Sequence, residues 1–310
     1  VLQERHGELM MFGFVTNCLG PTTLYEVVEI AARLGFECVE VGPGVERDRA
    51  AFRQVQADGR VLIHSFIYGR NFLTHDVTQR QAYRAEMLRL LDLAEDTGVR
   101  QITTSTGVDP ALSLEENIAA ALEYWGPLFD QAASAGIRIA LEFCPTAGNF
   151  ALGPYAWRPL FAATARWSNF GLNYDPSHLL WQFIEPYSPL QEFRERVFSV
   201  HAKDTYLWPD RLAEHGILTP YARQETMAHG PQEARAIWWE YRLPGDGMLD
   251  WQRIFATLHK IDYQGAVLLE HEAPQYIGSR NAVLQGLERG LRQLRAARTA
   301  ALATNQDSVP

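Results

Sequence analysis

The chain has 310 residues, 47% of them hydrophobic and 21% charged, an ordinary globular balance with length for one large barrel or two modest domains. No apolar stretch approaches the ~20 residues needed to cross a bilayer, and no charged-then-apolar leader opens the chain, so no membrane partner is expected. The net charge of −9 argues against a nucleic-acid partner, which would need a basic face.

Residues 1–10 read as a polar extension ahead of the fold. A first strand is expected at Phe12–Asn17. The helix after it opens with a capping box of Thr23 and Glu26, runs through Leu24, Val27, Val28 and Ala31, and ends at Gly35. Strands follow at Cys38–Gly42 and Val61–Phe66, then a helical stripe of Met87, Leu90, Leu91 and Ala94. After the strand Gln101–Thr106, Ser113 and Glu116 repeat the capping box before Ile118, Leu122, Trp125 and Phe129. Strands at Arg138–Cys144, Phe170–Asp175 and Val197–Lys203 complete seven. Segment 205–248 reads as one long loop rich in aromatics, with Trp208, Tyr221, Trp238, Trp239 and Tyr241. Asp250 precedes a helical stripe of Ile254, Phe255 and Leu258, the eighth strand is Ala266–His271, and Leu284, Leu287, Leu291 and Leu294 mark a last helix at 281–302. Residues 303–310 are expected to fray.

Each strand candidate is short, rich in β-branched or aromatic residues, and bounded by turn formers. Eight alternations of strand and helix predict a parallel α/β sheet closed as a (β/α)₈ TIM barrel over residues 11–302. An open doubly wound sheet is the alternative, but no G-x-G-x-x-G follows the first strand. Cys18, Cys38 and Cys144 lie in or beside strand-like runs without paired spacing, which predicts reduced, buried thiols and a cytoplasmic protein.

Four polar residues stand at the ends of apolar runs: Glu142 in IALEFC, Asp175 in GLNYDP, His201 in FSVHAKD and Glu270 in AVLLEHE. A carboxylate that follows a buried strand without a break is costly unless it has a partner. Taken singly, each reads as a locally satisfied core residue. Together, late in strands five to eight of a barrel, they predict convergence on one cation. Three carboxylates and an imidazole suit Mn²⁺, Mg²⁺ or Co²⁺ better than a structural Zn²⁺. Alternation places Ala140 and Cys144 on the side of Glu142, while Ile139 and Leu141 face the helices.

The ordered motifs LEFCP, GLNYDPSHL, VHAKD, RLPGDGMLDW and YQGAVLLEHE resemble the sugar phosphate isomerase/epimerase superfamily of xylose-isomerase-like TIM barrels, which includes ketose 3-epimerases, inosose dehydratase and endonuclease IV. The resemblance implies a metal cage of Glu142, Asp175, His201 and Glu270, with Mn²⁺ as the expected ion, and a substrate-contacting His178. It also implies that the stretch with Arg242, Gly245 and Gly247 closes over the site, and it allows a homo-oligomer. Two departures stand out. The Glu and Arg that follow the strand-seven His in ketose 3-epimerases are replaced by Ala202-Lys203-Asp204, and the spare histidines His64, His75, His215 and His229 do not match the three-metal pattern of endonuclease IV.

A divalent ion in such a cage polarises a carbonyl and stabilises an enediolate, and Glu142 with Glu270 are the expected acid–base pair. The expected activity is isomerisation or epimerisation of a keto sugar or polyol. No glycine-rich nest or basic cluster near the mouth is visible, so the substrate is expected to be unphosphorylated. Elimination from a keto-inositol or 3-keto-glycoside by a lyase, and a non-catalytic sugar-binding barrel, remain as alternatives. His64 at the end of strand three, His178, Lys203 and Arg242 are the candidate substrate contacts. Lys203 and Asp204 form a candidate ion pair, and the aromatic loop is a candidate lid or subunit interface.

Overall fold

A computed structural model describes residues 10–145, 148–217 and 238–306. Eight strands close into a barrel: β1 (Met11–Val15), β2 (Cys38–Val41), β3 (Leu62–Ile67), β4 (Gln101–Thr104), β5 (Arg138–Glu142), β6 (Phe170–Tyr174), β7 (Val197–Ala202) and β10 (Ala266–Leu269). Around the barrel the order is β1-β10-β7-β6-β5-β4-β3-β2, and the consecutive pairs from β1 to β7 are parallel. The remaining strands, β8 (Asp204–Leu207) and β9 (Trp239–Arg242), form a separate antiparallel hairpin. All eight expected barrel strands are present. Most end earlier than the sequence suggests, because the polar residues at the rim leave the ladder as the chain turns.

Two compact units are distinguished by their internal contacts. The first holds the barrel. Its helices include α1 (Leu24–Leu34), α2 (Arg49–Asp58), α3 (Val77–Thr97), α4 (Leu114–Ser134) and α5 (Pro154–Ala163). Caps set the ends of these helices. Thr23 Oγ1 accepts the Glu26 N–H, while the Glu26 carboxylate takes the Thr22 hydroxyl instead of closing the box. Ser113 and Glu116 form the complete capping box. Ile139 and Leu141 face outward against Trp125, Phe129 and Leu160, as alternation requires.

The barrel interior is unusually polar beneath its rim. Glu40, fully buried on β2, accepts hydrogen bonds from Ser65 Oγ (2.6 Å) and Thr103 Oγ1 (2.5 Å). Gln101 donates to Ser199 Oγ at 2.8 Å, and Ser199 in turn donates to Asn173 Oδ1 at 2.6 Å. These bonds offset the desolvation of side chains that interrupt the usual branched apolar filling. Beside them Cys38 is buried, and burial pushes its thiol well up, so it is inert.

His64 does not end its strand. The pairing of β2 with β3 skips from Ile63 to Ser65, leaving His64 as the extra residue of a bulge, and the strand continues to the β-branched Ile67.

The second unit carries α6 (Pro176–Leu180), α7 (Ser188–Glu192), the hairpin, α8 (Pro209–His215), α9 (Trp251–Lys260) and α10 (Arg280–Gln306). The segment expected as one loop is thus partly a ribbon, with Leu207, Trp238, Trp239 and Tyr241 packed as a cluster and Trp181 stacked on Trp239 at 4.6 Å. Tyr221 and His229 lie outside the described residues. Asp250 caps α9 by accepting the Arg253 N–H. Helix α10 packs on α9, buries Leu287, Leu291 and Leu294, and runs to Gln306, past the boundary expected at 302.

Candidate metal centre

Strand geometry delivers the four candidate ligands. Glu142 is the last residue of β5, and Asp175 follows β6 directly. His201 lies in β7, and Glu270 follows β10, where its N–H donates to the Ala202 carbonyl at 3.2 Å. Two residues earlier, on the same faces, stand Ala140, Asn173, Ser199 and Leu268. One ligand atom from each of Glu142, Asp175, His201 and Glu270 lies within 4.8 Å of the others. Two ligands at ~2.0–2.6 Å from one ion can be no more than ~5 Å apart, so the spacing suits a single cation. Three carboxylates gathered that closely, all but Glu142 buried, repel one another strongly unless positive charge offsets them. The donor set therefore fits a divalent ion.

Of the expected substrate contacts, Lys203 touches this group, and His178 is linked to Lys203 through Tyr241. Lys203, only 2% exposed, donates to Glu270 Oε2 at 2.6 Å and to Glu272 Oε2 at 3.0 Å. Its ammonium also lies 4.4 Å from the ring centre of Tyr241. His201 Nδ1 is 3.2 Å from the same Glu270 oxygen. His178, fully buried in α6, has its Nδ1 3.1 Å from the Tyr241 hydroxyl. Arg242 is on β9, ion-paired with Glu240 and 5.6 Å from the Tyr206 ring, a ribbon residue held by its neighbours. His64, in its bulge, contacts Ser65 Oγ through Nδ1 at 3.0 Å and so adjoins the Glu40 cluster.

The expected Lys203–Asp204 ion pair does not form, because successive strand residues point to opposite faces. Asp204 instead accepts the N–H groups of Thr205 (2.8 Å), Gly245 (3.0 Å) and Leu249 (3.0 Å), together with Trp251 Nε1 (3.2 Å). This wraps the Gly-Asp-Gly stretch around a buried carboxylate, and a Cβ on Gly247 would collide with it. Burial raises the Asp204 carboxyl to about 6, against four donors that favour its ionised form. Sequence reading missed this role, since the donors lie some forty residues downstream. It also missed His271, whose imidazole burial lowers to about 4 and whose Nδ1 takes the Ala273 N–H at 3.3 Å.

Arg47, Arg70 and Arg89 line one groove with Tyr68 and Tyr83, a basic gathering that their spacing in the chain conceals. Glu86 pairs with both Arg47 and Arg89 and so neutralises part of that charge.

Comparison with known proteins places this architecture. The family model described as a xylose isomerase-like TIM barrel matches residues 28–297. The uncharacterized protein YfiH of Bacillus subtilis (strain 168) is 24% identical over 307 residues, covering 85% of this chain and 93% of YfiH. The IOLI protein with a bound zinc atom superposes with a TM-score of 0.71 at 16% identity, over 95% of this chain and 99% of that one. D-Psicose 3-epimerase from Clostridium cellulolyticum H10, solved with D-tagatose, gives a TM-score of 0.68 at 14% identity, over 93% and 99%. The two structural likenesses carry the fold; the family match extends over most of the chain, which belongs to the xylose isomerase-like TIM barrel family.

Proposed function

We propose that the protein is a divalent-metal-dependent isomerase or epimerase of an unphosphorylated keto sugar or polyol. The observation that carries this reading is the close gathering of Glu142, Asp175, His201 and Glu270 beside a buried lysine. A divalent ion held by these four would supply Lewis acidity to a substrate carbonyl and its neighbouring hydroxyl, and Mn²⁺ matches a set dominated by carboxylate oxygen. Glu142 and Glu270 stand on different strands and serve as the acid–base pair. One removes the proton next to the carbonyl and the other returns a proton to the opposite face or the adjacent carbon. Lys203 fixes the orientation of Glu270 by a charge-assisted hydrogen bond. His178 contacts substrate oxygen, held in place by Tyr241. D-Psicose 3-epimerase, which shares the fold, is named as an epimerase of a sugar, and that supports the same class here.

The test is incubation with a panel of ketoses, keto-inositols and 3-keto-glycosides in D₂O with Mn²⁺. Deuterium uptake with the carbon skeleton retained is expected. Loss of water or aglycone would replace the proposal with a lyase, and binding without exchange would replace it with a sugar-binding barrel.

A further inference from the structure

The hairpin that the sequence conceals grips the helix carrying His178 at two successive residues. Thr205 on β8 and Tyr241 on β9 are paired across the ribbon. Thr205 Oγ1 donates to the Ser177 carbonyl at 3.3 Å, and the Tyr241 hydroxyl meets His178 Nδ1 at 3.1 Å. The ribbon is itself anchored by the parallel stack of Trp181 on Trp239. Tyr241 thus stands where Thr205, Lys203 and His178 meet: its face lies under the Lys203 ammonium and its hydroxyl touches the imidazole.

We propose that Tyr241 is a positioning residue that locks His178 into the tautomer with its proton on Nε2. The inference rests on the reading of this site as a sugar isomerase or epimerase, and it specifies what His178 offers the substrate. A phenol hydroxyl can donate or accept, and the Lys203 cation over the ring face withdraws electron density and biases the Tyr241 hydroxyl towards donation. Nδ1 is then the acceptor, and the imidazole's proton must be on Nε2. His178 consequently presents a hydrogen-bond donor, not an acceptor, to a carbonyl or hydroxyl oxygen of the sugar. A histidine with the opposite tautomer could accept a proton at that atom. This one selects oxygen acceptors and leaves proton transfer to the glutamates.

The experiment is ¹⁵N-histidine labelling of the Mg²⁺-loaded protein, with the imidazole nitrogens read by long-range ¹H–¹⁵N correlation. The signals of His178, among nine histidines, are assigned with His178→Gln. The wild type should show one neutral Nε2–H tautomer. Tyr241→Phe keeps the ring under Lys203 and removes only the hydroxyl, and should convert the pattern to a tautomer mixture without a loss of secondary structure. Thr205→Val loosens the other grip and should leave the tautomer unchanged. An Nδ1–H or doubly protonated His178 in the wild type overturns the proposal, and that spectrum decides even if Tyr241→Phe fails to fold. An unchanged pattern in Tyr241→Phe, or an equal change in Thr205→Val, overturns it as well. Metal analysis of the sample before its spectra are taken separates the two readings: a protein that takes up no ion on dialysis against Mg²⁺ defeats the metal site and leaves the tautomer result standing.

Discussion

Lys203 Nζ lies 2.6 Å from Glu270 Oε2, the same oxygen that stands 3.2 Å from His201 Nδ1. One carboxylate oxygen therefore accepts from the buried ammonium and lies beside the imidazole. A lysine so enclosed is stable only with matched negative charge, which Glu270 and Glu272 provide. Replacing Lys203 by Met should strip that compensation and destabilise the chelated protein by about 3–5 kcal/mol, the usual cost of breaking a buried pair. Urea unfolding measures it, and a loss under about 1 kcal/mol would show that the carboxylates do not depend on Lys203.

One divalent ion per chain is expected after dialysis against Mn²⁺. Asp175→Asn and His201→Ala should each lower metal affinity and turnover together, with partial recovery in excess Mn²⁺, because the glutamate pair remains. Metal analysis and titration calorimetry check this. Variants that keep full activity after chelation would make the four residues a structural cluster.

Glu270→Gln separates ligation from proton transfer. A carboxamide still offers an oxygen but cannot take a proton, so turnover should fall roughly 10²–10⁴-fold while much of the metal stays bound. Single-turnover deuterium exchange reads the chemical step. Near-normal exchange would remove Glu270 from the acid–base pair and leave Glu142 as the remaining candidate.

Asp204 makes a prediction about pH. Its carboxyl, raised to about 6 in the folded protein against an ordinary 3.8, holds its proton more tightly folded than unfolded. Its stabilising contribution is thus fully present below about pH 4 and is lost as pH rises to about 6. At 1.36 kcal/mol per pH unit the gap corresponds to about 3 kcal/mol. Wild type minus Asp204→Asn, followed by urea unfolding from pH 4 to 7, should show this decline. A difference that is flat, or that rises with pH, would mean that the four donors hold Asp204 ionised throughout.

Much of the fold was legible because the barrel strands announce themselves locally. Runs such as Ile139-Ala140-Leu141 and Val267-Leu268-Leu269 are apolar, short and bounded, and the helices between them carry their own caps. The gathering of Glu142, Asp175, His201 and Glu270 was legible for the same reason: a charge at the end of an apolar run is visible without knowing its partner. What stayed hidden depends on contacts between distant residues. The hairpin pairs Asp204–Leu207 with Trp239–Arg242 across a long intervening stretch, so no turn signal joins them. The carboxylate of Asp204 looked like a partner for Lys203 because its true donors, at Gly245 and Leu249, arrive from far along the chain. The bulge at His64 leaves no mark in the run VLIHSF.

Ligand order along the chain has a consequence for biosynthesis. Glu142 and Asp175 leave the ribosome well before Glu270, by roughly 6–26 s and 5–19 s respectively at ~5–20 residues per second. Through that interval the nascent chain holds an incomplete chelator, and the carboxylates already made have neither His201 nor Lys203 beside them until those residues emerge. Under the proposed metal reading, insertion belongs to the last stage of maturation, and a chain that stops short of β10 emerges without Glu270, however well its earlier strands have paired.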